Sequence, residues 1–250
     1  MKPIIIGNWK MNLTPSESGK LASQITKSLT KEVEKDVVVC PSFVSLGVVS
    51  GKLKGSSVAL GSQDVFWQAE GAYTGEIAAQ SLIELGCQYS IVGHSERRQI
   101  LGETDAMVNK KVDVCLDNNL IPIVCIGETR REKQLGQTDG ILVSQLLKAL
   151  AGIDLVKNEQ IVIAYEPVWA IGSDKVVDVG ELSYVLDLIR QTLFDIWPAS
   201  IVNNNTRLIY GGSVDLKNSE NFANLDGLDG FLIGGDSLNA EEFTKIVENF

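Results

Sequence analysis

The sequence predicts an α/β protein built as a single (β/α)8 barrel spanning residues 1–250. Three observations carry that prediction. Eight short β-branched runs recur along the chain without alternating apolar and polar residues, the pattern of parallel strands buried on both faces. Amphipathic helical stretches lie between them. A polar or glycine-rich residue closes nearly every run.

The first run is Ile4-Ile5-Ile6, followed by a helix from Ser16 to Leu29 whose start is marked by Thr14-Pro15. Val37-Val38-Val39, Val58-Ala59-Leu60 and Ser90-Ile91-Val92 supply the next three strands. Ile121 to Ile126 is the fifth, with a helix from Gly140 to Leu150 after it. Ile161-Val162-Ile163-Ala164 is the sixth, and Asp178 opens a helix from Gly180 to Phe194. Leu208-Ile209-Tyr210 and Phe231-Leu232-Ile233 complete the set. Spacings of roughly 20–45 residues suit eight βα units closed into a barrel. A doubly wound sheet is the rival, but Gly7-Asn8-Trp9-Lys10 lacks the glycine-rich turn that such sheets carry after their first strand.

Composition narrows the function classes. The chain is 44% hydrophobic and 22% charged, which fits a folded domain with a large core. Its net charge of −10 disfavours nucleic acid and anionic membranes as partners, so an anionic ligand would have to be attracted locally. Cys40, Cys87, Cys115 and Cys125 are dispersed, without a CxxC pair, and there is one histidine. Neither a structural metal site nor a disulfide framework is expected. The opening apolar run is too short for a signal peptide, and no stretch reaches ~18 apolar residues. The expectation is a cytoplasmic protein.

In a parallel barrel every strand's carboxyl end opens on one face. The scattered residues Asn8, Lys10, Ser42, Gln63, His94, Glu96, Glu128, Glu166, Gly211-Gly212-Ser213 and Gly234-Gly235 therefore become one polar ring. Glu166 ends an apolar strand, where shielding is expected to raise its pKa and make it a usable general base; a strand-end salt bridge is the plainer role. Pro167-Val168-Trp169-Ala170-Ile171-Gly172 is apolar where a surface loop should be polar, which suits a lid that excludes water, or else packing on the rim. His94 can present a ring N–H to a substrate oxygen, and a helix starting near Ser95-Glu96 would favour its neutral form. Lys10 is the base at the first strand's exit, with Glu96 as its possible ion-pair partner. Two consecutive glycine-rich exits form an anion cradle where barrels bind phosphate. With no redox motif and no metal cluster, these parts describe proton abstraction beside the carbonyl of a small sugar phosphate, without a cofactor.

At these residues the sequence resembles the triosephosphate isomerase family along essentially its whole length. The resemblance rests on Gly7-Asn8-Trp9-Lys10-Met11-Asn12, on Tyr89 through Arg98, on Ala164 through Gly172, and on Tyr210-Gly211-Gly212-Ser213-Val214 with Ile233-Gly234-Gly235. It implies that Glu166 shuttles a proton between the carbons of glyceraldehyde 3-phosphate and dihydroxyacetone phosphate, in glycolysis and gluconeogenesis. It implies that neutral His94 polarises the carbonyl, and that Lys10 offsets enediolate charge beside Asn8. Gly172, Ser213, Gly234 and Gly235 would then hold the phosphate through their amides. A homodimer is implied as well, because Phe66 through Glu76 resembles the family's loop that inserts beside the partner's first-strand lysine. Three aromatic residues in such a loop would be costly to leave in water, unless they fold back on their own barrel.

Two departures from the family pattern stand out. The lid's trailing hinge reads Ser173-Asp174-Lys175 where glycine usually holds the middle place, so lid kinetics and turnover should differ. Asp236 follows the second glycine pair where a small residue is usual. A carboxylate aimed at a phosphate would repel it, so Asp236 is expected to point away. Two other functions stay open on the sequence: a phosphate-binding aldolase whose Lys10 forms a Schiff base, and a phosphometabolite-binding protein without turnover.

Overall fold

A computed structural model describes residues 1–29, 34–171 and 176–250. Its strands are β1 (Ile4–Asn8), β2 (Asp36–Cys40), β3 (Val58–Ser62), β4 (Cys87–Val92), β5 (Ile121–Ile126), β6 (Ile161–Tyr165), β7 (Thr206–Tyr210) and β8 (Gly230–Ile233). The helices of the first half are α1 (Pro15–Ser28), α2 (Leu46–Leu53), α3 (Ala79–Glu84), α4 (Ser95–Ile100) and α5 (Asp105–Asp117). Those of the second half are α6 (Arg130–Gln134), α7 (Thr138–Ala149), α8 (Val179–Ile196), α9 (Ala199–Asn205), α10 (Ser219–Ala223) and α11 (Ala240–Asn249). The strands follow chain order around a closed barrel, every pair parallel. Closure is made by β1 and β8, which pair from Ile4 with Gly230 to Gly7 with Ile233.

The absence of alternation in the strands has a structural cause: both faces are apolar, but they face different cores. Ile4, Ile6, Val38, Ile91, Ile123, Val162, Ile209 and Leu232 fill the barrel interior. Their neighbours Ile5, Val37, Val39, Val92, Val124, Ile163 and Leu208 pack outward under the helices, together with Leu21, Val112, Leu146, Leu186, Ile189 and Phe243. Most strand residues therefore bury their side chains whichever way they point, with Gln88 in β4 an exposed exception.

Local sequence signals set the helix ends. Thr14 accepts the Glu17 amide while the Glu17 carboxylate accepts the Thr14 amide, a capping box with Pro15 at the first helical position. Thr129 and Glu132 repeat the arrangement at α6. Asp178 caps α8 by accepting the Gly180 and Glu181 amides. At the barrel's opposite end Arg207 is almost fully buried yet well partnered, donating to Asp36 at 2.6 Å and Gln160 at 2.9 Å. No described helix is long and apolar enough to cross a membrane.

Gly230 lies at the closing seam. Its φ is +153°, and a β-carbon there would stand 1.7 Å from the Ile4 carbonyl oxygen. That oxygen belongs to the backbone and cannot yield without opening the β1–β8 pairing. Gly230→Ala is expected to lower stability by about 3 kcal/mol or more, read from the urea midpoint; an unchanged midpoint would show that the seam relaxes.

Candidate active site

The polar ring is assembled at the carboxyl ends of the strands. A cavity of about 670 Å³ opens there, lined among others by Asn8, Lys10, His94, Glu96, Glu166, Ser213, Gly234 and Gly235. The structure thus places Asn8, Lys10, His94, Glu96, Glu166, Ser213, Gly234 and Gly235 around one cavity, without Ser42, Gln63 and Glu128 of the expected ring, while Gly172 lies outside the described residues with the hinge position Asp174. Among the described residues no group of three or more histidine, cysteine or acidic side chains is placed to hold a metal ion.

Glu166 and His94 face each other on the cavity floor. Glu166 Oε1 is 3.1 Å from His94 Nε2, and Oε2 accepts the Ser95 amide at 2.9 Å. His94 caps α4: its Nδ1 accepts the Glu96 amide at 3.2 Å. With one nitrogen filled by a backbone donor, the neutral ring carries its proton on Nε2, the nitrogen that faces the cavity. Both side chains are buried, with 7% and 3% of their surface exposed.

Their electrostatics correct one sequence expectation. Burial does press the Glu166 pKa upward, but His94, the Ser95 amide and Lys10 outweigh it and hold the carboxyl below its ordinary value. In this geometry Glu166 is stabilised as an anion, against the rise expected from shielding alone. For His94, burial presses downward, and the Glu166 carboxylate more than compensates, leaving it above the ordinary value; Lys10 opposes that rise.

Lys10 combines two constraints. Its φ of +50° is left-handed, a conformation that side-chain-bearing residues adopt only when their surroundings impose it. Gln63 contributes by donating its side-chain amide to the Lys10 carbonyl at 2.8 Å and to the Cys40 carbonyl at 2.9 Å. The Lys10 ammonium meets Glu96 at 2.6 Å and lies beside Gly234. The ion pair foreseen between Lys10 and Glu96 is therefore formed.

Other ring members act on the structure around the cavity. Glu128 is fully buried, accepting from the Trp169 indole at 2.8 Å and from the Tyr165 hydroxyl. It also takes the Val168 amide on its backbone carbonyl, so it anchors the leading end of the apolar loop. Ser42 faces Ser45 at 3.3 Å and does not line the cavity. Gly211 gives the glutamate room: a β-carbon there would come within 3.0 Å of Glu166 Cγ.

Sequence reading missed Ser95, whose backbone amide is the contributing group, and Glu103. The buried Glu103 carboxylate accepts the Gly93 amide at 3.0 Å, just before His94, and binds Lys111 at 2.8 Å and Arg97 at 2.5 Å. Asp64, joined to the same cluster, is pushed by burial to about 6. Nothing in the sequence separates Glu103 from an ordinary surface acid. Asp236 borders the cavity, half-buried, so it is not removed from the cavity rim.

Because the chain has one histidine, the coupling can be read directly by NMR. Glu166→Gln removes the group that raises His94 most, leaving burial and Lys10 to lower it against the smaller pull of Glu96. The ring is expected to titrate at lower pH in Glu166→Gln than in the wild type, below the ordinary value of ~6.5. An unchanged titration would mean that the two side chains do not interact in solution.

Comparison with known proteins agrees with this geometry. The family model described as triosephosphate isomerase matches residues 3–250. The chain is 43% identical over 249 residues to the triosephosphate isomerase of Thermoanaerobacter pseudethanolicus, with 98% of each chain covered. It is 44% identical over 246 residues to that of Caldanaerobacter subterraneus subsp. tengcongensis and 43% identical over 250 residues to that of Herpetosiphon aurantiacus, again with 98% of each covered. With the fold, the order of the motifs and the matched length all in agreement, the chain belongs to the triosephosphate isomerase family.

Proposed function

We propose that Glu166, His94, Lys10 and Asn8 interconvert glyceraldehyde 3-phosphate and dihydroxyacetone phosphate through an enediolate. The observation that carries this reading is the placement of a carboxylate and a ring N–H 3.1 Å apart at the floor of a cavity that holds Lys10 and three glycine- or serine-rich backbone positions. A triose phosphate held by the amides of Ser213, Gly234 and Gly235 spans from that cradle to the floor. Glu166 then takes a proton from the carbon beside the carbonyl and returns it to the neighbouring carbon. His94 donates its Nε2 proton toward the carbonyl oxygen and accepts the hydroxyl proton in turn, which avoids a free alkoxide.

When Glu166 moves onto the substrate carbon, the influence that raises His94 moves away with it. Burial and Lys10 then favour the neutral imidazole, with Glu96 the one smaller influence against them, as an electrophile that must lose and regain one proton requires. Lys10 places a positive charge where enediolate charge develops, and Glu96 holds its side chain in place. Val168 and Ile171 line the same cavity, so the apolar loop contributes a dry wall. Gly172 would add an amide to the phosphate grip, and Asp174 would alter the rate at which the loop moves. The four cysteines are free and buried, in keeping with a cytoplasmic enzyme.

The reading extends to a homodimer. Met11, Val44 and Ile100 are 94%, 76% and 76% exposed, and Leu101 and Tyr73 are also open to solvent. They stand on the exits of β1 to β4, four neighbouring strands, and so occupy one side of the rim. Of the aromatic residues after β3, Phe66 folds back and stacks on Trp67 and Tyr73, while Tyr73 remains exposed. A rim of this kind is unfavourable in water and suits a second copy of the chain.

Two measurements test these assignments. Steady-state isomerisation of glyceraldehyde 3-phosphate should be fast with a chelator present and fall by about 10³-fold or more in Glu166→Gln. A folded wild-type protein without turnover would favour a binding protein instead, and borohydride trapping on Lys10 would favour the aldolase. Sedimentation equilibrium should give twice the 27.1 kDa chain mass, with Val44→Asp and Tyr73→Asp shifting it toward one chain. A monomeric wild type would refute the dimer.

A further inference from the structure

The phosphate end of the cavity carries an unusual charge balance. Lys10 is the one lysine or arginine among its described lining residues, and its ammonium is already paired with Glu96 at 2.6 Å. On the cradle's other flank stand two carboxylates that border the cavity, Asp215 and Asp236. Asp215 is held by its own turn, accepting the Lys217 and Asn218 amides at 2.8 and 2.9 Å. Asp236 follows the cradle glycines without a break, within the short 3-10 turn Gly235–Leu238.

Asp236 feels its acidic neighbours. Burial, then Glu242 at the start of α11 and Asp215 in the β7 loop, raise its pKa, and the Leu216 amide opposes them. Its carboxylate therefore feels like charge from both acids, and it has no salt-bridge partner among the described residues. A neutral residue in its place would relieve that repulsion, so the fold itself gains little from the charge.

We propose that Asp236 weakens the cradle's grip on phosphate dianions, substrate and free phosphate alike, and so speeds their release. The proposal rests on the isomerase reading of the same site. Repulsion between Asp236 and a bound dianion is much the same in the Michaelis complex and the transition state, because the phosphate takes no part in the chemistry. It therefore raises KM and the inhibition constant of competing anions, and acts on kcat little. A triose phosphate keeps additional contacts at Glu166, His94 and Asn8. Inorganic phosphate has the cradle alone, so the same repulsion is read on it without the chemistry, and by the same factor.

The test compares wild type, Asp236→Asn and Asp236→Ala with inorganic phosphate as competitive inhibitor of glyceraldehyde 3-phosphate turnover, at low and high ionic strength. Asp236→Asn removes the charge and keeps the size and polarity of the side chain; Asp236→Ala removes all three. Both variants should lower the phosphate inhibition constant and KM by about threefold to tenfold, with the change concentrated in KM and narrowing as salt rises. Unchanged constants in both variants would overturn the proposal. So would an effect confined to Asp236→Ala, which would make the residue a support for the β7 loop. Inorganic phosphate binding by calorimetry reads the same charge without turnover, so an inactive wild type would refute the isomerase reading and leave the Asp236 measurement intact.

Discussion

Closure of the parallel barrel is the constraint on which the rest depends. Once β1 pairs with β8 in register, all eight carboxyl ends lie on one rim. Asn8, His94, Glu166 and Gly234, spread over more than two hundred residues of sequence, then share one cavity. The scaffold meets this requirement with two apolar cores, inside the strands and beneath the helices, so that each strand is fixed from both faces. Polar side chains are left to the ends, where they can be aimed without disturbing either core. The seam is tight enough that Gly230 has no space for a side chain.

Within that rim, attraction for an anion is local. The chain carries a net charge of −10, and much of the positive charge near the cavity is already paired: Lys10 with Glu96, Arg97 and Lys111 with Glu103 and Asp64. What remains is a set of backbone amides on glycine-rich turns, fixed dipoles that bring no counter-charge with them. Such a site binds through preorganisation more than through bulk field, which suits a reaction whose charge moves between one carboxylate, one carbonyl oxygen and one imidazole.

Much of this was legible in the residues, because the signals were local. Each β-branched run became a strand, and Thr14-Pro15 and Asp178 cap the helices that they were expected to open. Positions at strand exits followed from topology, which is why Glu166, His94 and Lys10 were expected on one rim, where the structure places them. The state of those residues was not legible. Glu166 was expected to be raised by shielding, but its partners Ser95 and His94 are separated from it by about seventy residues of chain, and only the fold reveals that they stabilise its charge. Glu103 escaped for a similar reason: its function is to hold the Gly93 amide, and an acid in a polar loop looks the same whether or not it does so.

The lowered basicity of resting Glu166 has a consequence for how the site operates. A carboxylate bonded to an imidazole and a helix amide is well solvated by protein and is a weak base. Moving it off those donors, into a cavity walled by Val168, Ile171 and Leu232, leaves desolvation as the dominant influence and raises its basicity where the substrate lies. Glu166 is joined to the apolar loop through Pro167, whose ring fixes the backbone between them. The loop's leading end is held in turn by Glu128, through the Val168 amide and the Trp169 indole, with Lys133 over the indole ring at 3.9 Å. On the proposed mechanism, repacking of Val168 and Ile171 onto a bound ligand would displace the base as well, so that exclusion of water and activation of the base would become one event.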